Sequence, residues 1–294
     1  MKRKAYFLVV ILAVILGFSV AQTLGSTHNR PMKKGILLVA FGSSVPEAQI
    51  SFENIDKKVK AAFPDIPVRW AYTSHIIRKI LAKRGQHIDS VEMALARMMD
   101  EGFTHVAVQS LHTVSGIEFH DLYRNADAFG RMAGGFDRIA VGYPLLATED
   151  DMTRVTEVML RHIPEERNKD EAVVLMGHGT SHPSDAVYAA LMYHLQRKDA
   201  NVFVGTVEGA PEIDDIKEML LEKNIKKAYL MPFMSVAGVH AREDLAGEED
   251  GSWKSILTKA GITCVPILKG TAEYDDMVDI WVDHLKGEMA QFNE

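Results

Sequence analysis

Three side chains in the second half of the chain have the types and placement to hold a divalent metal ion. His178 follows the apolar run 174–176 and stands between Gly177 and Gly179, whose missing side chains let a ligand approach the backbone. Glu208 comes just after the apolar segment 202–207, and His240 ends the Gly238-Val239-His240 loop that follows the segment 227–233. Two imidazoles and a carboxylate make an N/N/O set that suits a first-row divalent metal and leaves coordination positions open. The plainer alternative is that each imidazole only hydrogen-bonds its own loop. A fourth group, Glu118, holds the matching place in the first half: VAVQSLHTVSGIE (106–118) aligns without gaps on AYLMPFMSVAGVH (228–240), setting Glu118 opposite His240. Glu118 also reads as a helix N-terminal carboxylate stabilised by the backbone dipole. A second echo sets LLVAFGSSVP (37–46) against VLMGHGTSHP (174–183), with Phe41 in the place of His178. Two copies that differ in His and Glu at strand ends imply a cleft between similar lobes, with the metal ligands on one wall.

Other charged groups have less specific readings. Of the twelve histidines, His87 and His162 flank polar segments, while His194 and His284 fall among charges inside helices, so all four read as surface or capping residues. Arg78, Lys79, Lys83 and Arg84 form a basic run on one helix, either an anion-binding face or a solvated one. The acidic stretch 243–250 reads as a solvated loop.

The elements that must position these groups alternate in type. Strands are expected at 35–40, 68–72, 105–111 and 139–146, with helices at 47–63, 74–84, 91–101, after Gly116, and at 150–162. The polar segment 164–170 reads as a linker. Beyond it come strands at 172–176, 202–207, 227–233 and 262–268, with helices at 184–197, 214–223 and 275–289. This is an α/β pattern of two similar Rossmann-like lobes, 33–165 and 171–294, each a parallel sheet flanked by helices with ligands at the carboxyl ends of the strands.

Composition bounds the remaining possibilities. A chain of 294 residues with 47% hydrophobic content can bury a large core, and a net charge of −7 offers no global field for nucleic acid. The single Cys264 excludes an intrachain disulfide framework and reads as a small core residue. Lys2-Arg3-Lys4, the apolar stretch 5–21 and Ser19-Val20-Ala21 follow the order of a cleavable export signal, here taken as residues 1–24, with an uncleaved membrane anchor as the alternative. A periplasmic location is therefore expected.

The motifs together resemble the anaerobic cobalt chelatases of the CbiK type. Those that carry the likeness are Gly-His178-Gly-x-Ser, Val-Glu208-x-x-Pro211-Glu212, Met231-Pro232-x-Met234-x-Val236-Ala237-Gly238-x-His240 and Ser252-Trp253-Lys254. Ile76-Ile77-Arg78-Lys79 and Gln109-Ser110-Leu111-His112 add to it in the first half. The resemblance implies a class II chelatase fold and insertion of Co2+ into sirohydrochlorin, with Fe2+ insertion to sirohaem as the alternative. It implies that His178, Glu208 and His240 bind the metal and that His178, His240 and Glu118 are catalytic; on the basic run, Arg78 and Lys79 are the candidates to pair with carboxylates of such a substrate, a solvated helix face being the alternative. An exported metal or haem carrier on the same fold is the competing class, although a carrier has no need of Glu118. His120, outside the ligand set, is a candidate axial ligand to haem at a subunit contact, and a homo-oligomer is expected.

Overall fold

The computed structural model describes residues 30–293; the expected export signal at 1–24 lies outside them. Residues from Lys33 onward form one compact unit. In its first half, β1 (Lys34–Ala40), β2 (Val68–Tyr72), β3 (His105–Ser110) and β4 (Arg138–Gly142) form a parallel sheet of order β2-β1-β3-β4. In its second half, β5 (Ala172–Gly177), β6 (Val202–Thr206), β7 (Lys227–Pro232) and β8 (Thr263–Pro266) repeat that order as β6-β5-β7-β8. The repeat read from sequence is thus a repeat of topology. The central strands are buried along nearly their whole length, as continuous apolar runs must be when helices cover both faces.

Each strand is followed by a helix, and several of the helix starts are capped by a side chain. In the first half these are α1 (Gln49–Ala62), α2 (His75–Lys83), α3 (Val91–Asp100), α4 (Ile117–Arg131) and α5 (Glu149–Arg161). Ser74 and Ser90 cap α2 and α3 by accepting from the backbone N–H three residues on. Thr148 and Asp151 close a reciprocal capping box on α5. The second half adds α6 (Ala186–Gln196), α7 (Ile213–Glu222), α8 (Trp253–Lys259) and α9 (Asp275–Ala290).

The helices exchange partners between halves. The last helix, α9, packs against α1, β3 and β4 of the first half, while α5 packs against α6 of the second. The pair is tied in a reciprocal way: His162 at the end of α5 lies 2.8 Å from Asp276 on α9, and His284 on α9 lies 2.8 Å from the buried Asp151 on α5. His162 and His284, expected as surface or capping residues, therefore fasten one helix to the other. One hydrophobic cluster accordingly runs through both halves, joining Ile36 and Leu38 of β1 and Val173 and Leu175 of β5 with Trp281 and Leu285 of α9.

Two local features differ from the expected elements. The acidic stretch after His240 begins as a π-helical turn, Ala241–Leu245, and α8 starts three residues beyond its end, capped by Ser252. Cys264 is half-buried on β8, where its Sγ lies 3.5 Å from the Ile262 carbonyl.

Candidate metal centre

In each sheet the chain leaves the two central strands in opposite directions, which opens a crevice at their carboxyl ends. His178 stands immediately past β5, Glu208 two residues past β6, and His240 at the end of the loop from β7. The folded chain brings the rings of His178 and His240 to 4.8 Å between centroids, nearly perpendicular. Glu208 Oε2 lies 3.9 Å from His178 Nδ1.

Hydrogen bonding decides which nitrogen each ring offers. His178 Nδ1 lies 3.1 Å from the Gly179 carbonyl oxygen, an acceptor only, so Nδ1 donates and the neutral ring presents a bare Nε2. His240 Nδ1 lies 2.5 Å from the Asp244 carboxylate one turn on, with the same result. An imidazole that donates from one nitrogen to a carbonyl or carboxylate and keeps a lone pair on the other is held in the form a metal requires.

Glycine makes the approach of the two loops possible. Gly179 has φ of +81°, and a Cβ there would meet the Gly209 amide nitrogen at 2.6 Å and the Glu208 carbonyl carbon at 2.8 Å. Without that atom the Glu208 N–H donates to the His178 carbonyl at 2.8 Å, which fixes the carboxylate beside the ring. Asp185 fastens the same loops from behind, accepting from the amides of Thr180 at 3.0 Å and Ala210 at 2.8 Å. Gly42, the counterpart of Gly179, also has a positive φ, so the turn survives in both copies while the chemistry differs.

The facing wall comes from the first half. Phe41 is 45% exposed for all its size, and its ring lies 6.3 Å from that of His178. The cleft is lined by Phe41, Leu111, His112, Glu118, His178 and His240 among others. Glu118, in the first turn of α4, shares this lining, so the group expected across the cleft is there. Ser43 near Gly238, and Thr180 and Ser184 near Gly116, mark where the two walls approach on either side.

Three contributors were given no role in the sequence reading, although His112 stands in the Gln109-Ser110-Leu111-His112 motif. His112 lies between β3 and α4 with Nδ1 2.9 Å from Ser110 Oγ and a buried Nε2 that has no hydrogen-bond partner among the described residues. Burial pushes its pKa down to about 4 against the opposing pull of the Glu118 charge, so it stays a neutral imidazole beside that carboxylate. Asp244 was hidden in an acidic stretch that reads as solvent-facing; the signal was its spacing of four from His240. Asp185 resembles any carboxylate at the start of a helix.

The remaining candidates are dispersed. Arg78 is half-buried and lines a second cavity beside the cleft, whereas Lys79 is exposed and lines neither. Glu208 is 61% exposed along its side chain and lies outside the cleft lining, beside His178 at the rim; among the described residues no three His, Cys, Asp or Glu side chains are gathered closely enough to hold a metal ion. His120 is exposed on α4, its ring 5.0 Å from that of His182. Among the described residues no helix is long and apolar enough to cross a membrane.

Comparison with known proteins places this architecture. The family model "Cobalt chelatase (CbiK)" matches residues 34–290. The sirohydrochlorin cobaltochelatase CbiKC of Nitratidesulfovibrio vulgaris is 46% identical over 274 residues, covering 93% of this chain and 97% of that protein. The sirohydrochlorin cobaltochelatase of Salmonella typhimurium is 34% identical over 256 residues, covering 86% and 96%. Among solved structures, SirB from Bacillus subtilis with Fe3+ shares the fold at a TM-score of 0.58 and 17% identity, covering 89% of this chain and 98% of that one.

Proposed function

The chain belongs to the cobalt chelatase (CbiK) family, and from that premise we propose that it inserts Co2+ into sirohydrochlorin, with His178, Glu208 and His240 holding the ion. The observation that carries the assignment is the pair of bare Nε2 atoms. The two rings stand 4.8 Å apart between centroids, each with Nδ1 engaged by an acceptor and an Nε2 lone pair left for a metal, while the Glu208 carboxylate lies on the Nδ1 side of His178 and must swing round to complete the set.

Insertion exchanges one Co2+ for the two pyrrole N–H protons of the ring, so the site needs a holder for the ion and acceptors for the protons. His178, Glu208 and His240 hold Co2+ on one wall. As the ring nitrogens take over the ion, one imidazole loses its metal bond and takes up a proton at Nε2. Glu118, on the opposite wall, takes the second proton and helps to orient the ring. A metal ligand and a general base then use the same nitrogen in sequence, because the lone pair that binds a metal is the one that takes up a proton. Phe41 gives the ring an apolar surface opposite His178.

The test is direct: incubate the protein with sirohydrochlorin and Co2+ and follow the ring absorbance. His178→Ala and His240→Ala, shown to be folded by circular dichroism, abolish insertion on this reading; undiminished rates in either variant contradict it. Fe2+ is the second metal to try, because an N/N/O set discriminates weakly between neighbouring divalent ions.

Export and haem are separate proposals. The N-terminal basic and apolar segments support a periplasmic location, which amino-terminal sequencing of the mature protein from its native host checks: an intact Met1 rules out cleavage. The exposed ring of His120, with the rings of Phe119 and His182 beside it, suits an axial ligand to haem at a contact between copies. A preparation from the native host without a Soret band contradicts it.

A further inference from the structure

Of the three imidazoles that line the cleft, His112 takes no part in holding the ion. Its protonation follows from its neighbours. Ser110 is fully buried, and its Oγ accepts from the His112 amide at 3.4 Å while lying 2.9 Å from His112 Nδ1. With Oγ already accepting once and no further hydrogen-bond partner for it among the described residues, the hydroxyl donates to Nδ1. A neutral ring whose Nδ1 accepts carries its hydrogen on Nε2, and burial keeps this ring neutral. That is the reverse of His178 and His240, whose Nδ1 atoms donate. His112 Nε2 is therefore a donor, buried and without a hydrogen-bond partner among the described residues.

The backbone around this ring is fixed. The His112 carbonyl accepts from the Leu145 amide at 2.9 Å, and the Thr113 carbonyl from the Leu146 amide at 2.9 Å. Gln109 ties the same strand end, donating to the carbonyls of Ser110 at 2.7 Å and Tyr143 at 2.8 Å. A buried N–H without an acceptor costs its desolvation, and folded proteins keep few of them. Glu118 offers the complementary acceptor. It is the one carboxylate among the described residues that line the cleft, and it has no hydrogen-bond or ion-pair partner among them. Its charge acts on His112 and on Tyr188 of the second half, so the carboxylate stands near both.

We propose that His112 is the positioning residue for Glu118: its Nε2–H donates to the Glu118 carboxylate once the tetrapyrrole fills the cleft, and aims the other oxygen at a pyrrole N–H. The proposal rests on the chelatase reading of the cleft. Hydrogen bonds of this kind are commonly long in a free enzyme and tighten when substrate is bound. In the step itself the pyrrole N–H bond breaks and an O–H bond forms on Glu118. The pyrrole nitrogen keeps the electron pair that the ion then takes, and His112 stays neutral throughout.

The test compares His112→Phe, which keeps a ring and loses the donor, with His112→Gln, whose amide N–H takes the place of Nε2. His112→Phe is expected to lower kcat for Co2+ insertion about tenfold or more, the scale of one hydrogen bond to a charged group. His112→Gln recovers most of that loss, and the KM for Co2+ stays at its wild-type value in both. Nitrogen-15 NMR adds a reading independent of turnover: His112 carries its proton on Nε2 at neutral pH, and on binding metal-free sirohydrochlorin that proton moves further downfield in wild type than in Glu118→Ala. A bare Nε2, an equal movement in Glu118→Ala, or wild-type kcat in folded His112→Phe overturns the proposal. So does a His112→Gln no faster than His112→Phe, or a KM for Co2+ that rises as kcat falls. Wild-type protein that inserts no Co2+ contradicts the chelatase reading itself, and the positioning role falls with it.

Discussion

The two imidazoles are oriented by different kinds of acceptor, and this difference is testable. His178 leans on a backbone carbonyl that no substitution removes, whereas His240 depends on the Asp244 side chain. Asp244→Asn is expected to raise the KM for Co2+ or lower the rate by about 10- to 100-fold, the usual cost of losing an outer partner of a metal ligand. Glu243→Gln, one residue earlier, leaves both unchanged. His112 offers a second prediction, through pH. Its pKa in the fold, about 4, lies below the 6.5 of an exposed ring, so protons bind the unfolded chain more tightly. Its stabilising share is whole above about pH 6.5 and is lost as the pH falls toward 4, about 2 kcal/mol of it by pH 5. Urea unfolding at pH 7 and pH 5 should show a smaller acid penalty in His112→Gln than in wild type, by about that amount. His178 and His240 were legible because glycines and strand ends frame them. Asp244, Asp185 and His112 were not, because their roles depend on contacts made only after folding.

At the scale of elements, the turn after each first strand carries the design. Gly179→Ala adds a Cβ at positive φ against the Glu208–Gly209 backbone. Displacing that loop moves Glu208 away from His178, so insertion should fall much further than stability in rate assays and melting of the same preparation. The α5–α9 pair gives the converse case. Asp151 accepts from the Thr148 amide at 2.9 Å and meets His284 at 2.8 Å, and these bonds hold its carboxyl below the usual range against the opposing effect of burial. Asp151→Ala removes a cap and leaves His284 without its acceptor, for an expected loss of about 3 kcal/mol in chemical denaturation. Insertion by the fraction still folded is preserved. That Asp151 and Asp276 each bind a histidine on the opposite helix was not visible in the sequence, since periodicity reports a helix's apolar face and not its partner.

At the scale of the whole molecule, duplication explains both the success and the failure of reading the chain as two pieces. Strand order and the glycine turns repeat, so the fold class and the position of the cleft follow from the pattern. The exchange of α5 and α9 between halves does not follow, because a helix leaving a sheet can pack on either neighbour with the same amphipathic stripe. That exchange joins the walls through a common core, which supports the cleft from beneath while its mouth stays open. The division of labour is the central claim: the second half holds the ion, and the first receives the ring and its protons. The most direct measurement is a crystal structure with Co2+ located by anomalous scattering at the cobalt edge. The account predicts one strong peak about 2.0–2.2 Å from Nε2 of both His178 and His240, with a Glu208 oxygen completing the set. A cobalt peak on the Glu118 wall, or one bound through Nδ1 of either histidine, would contradict it.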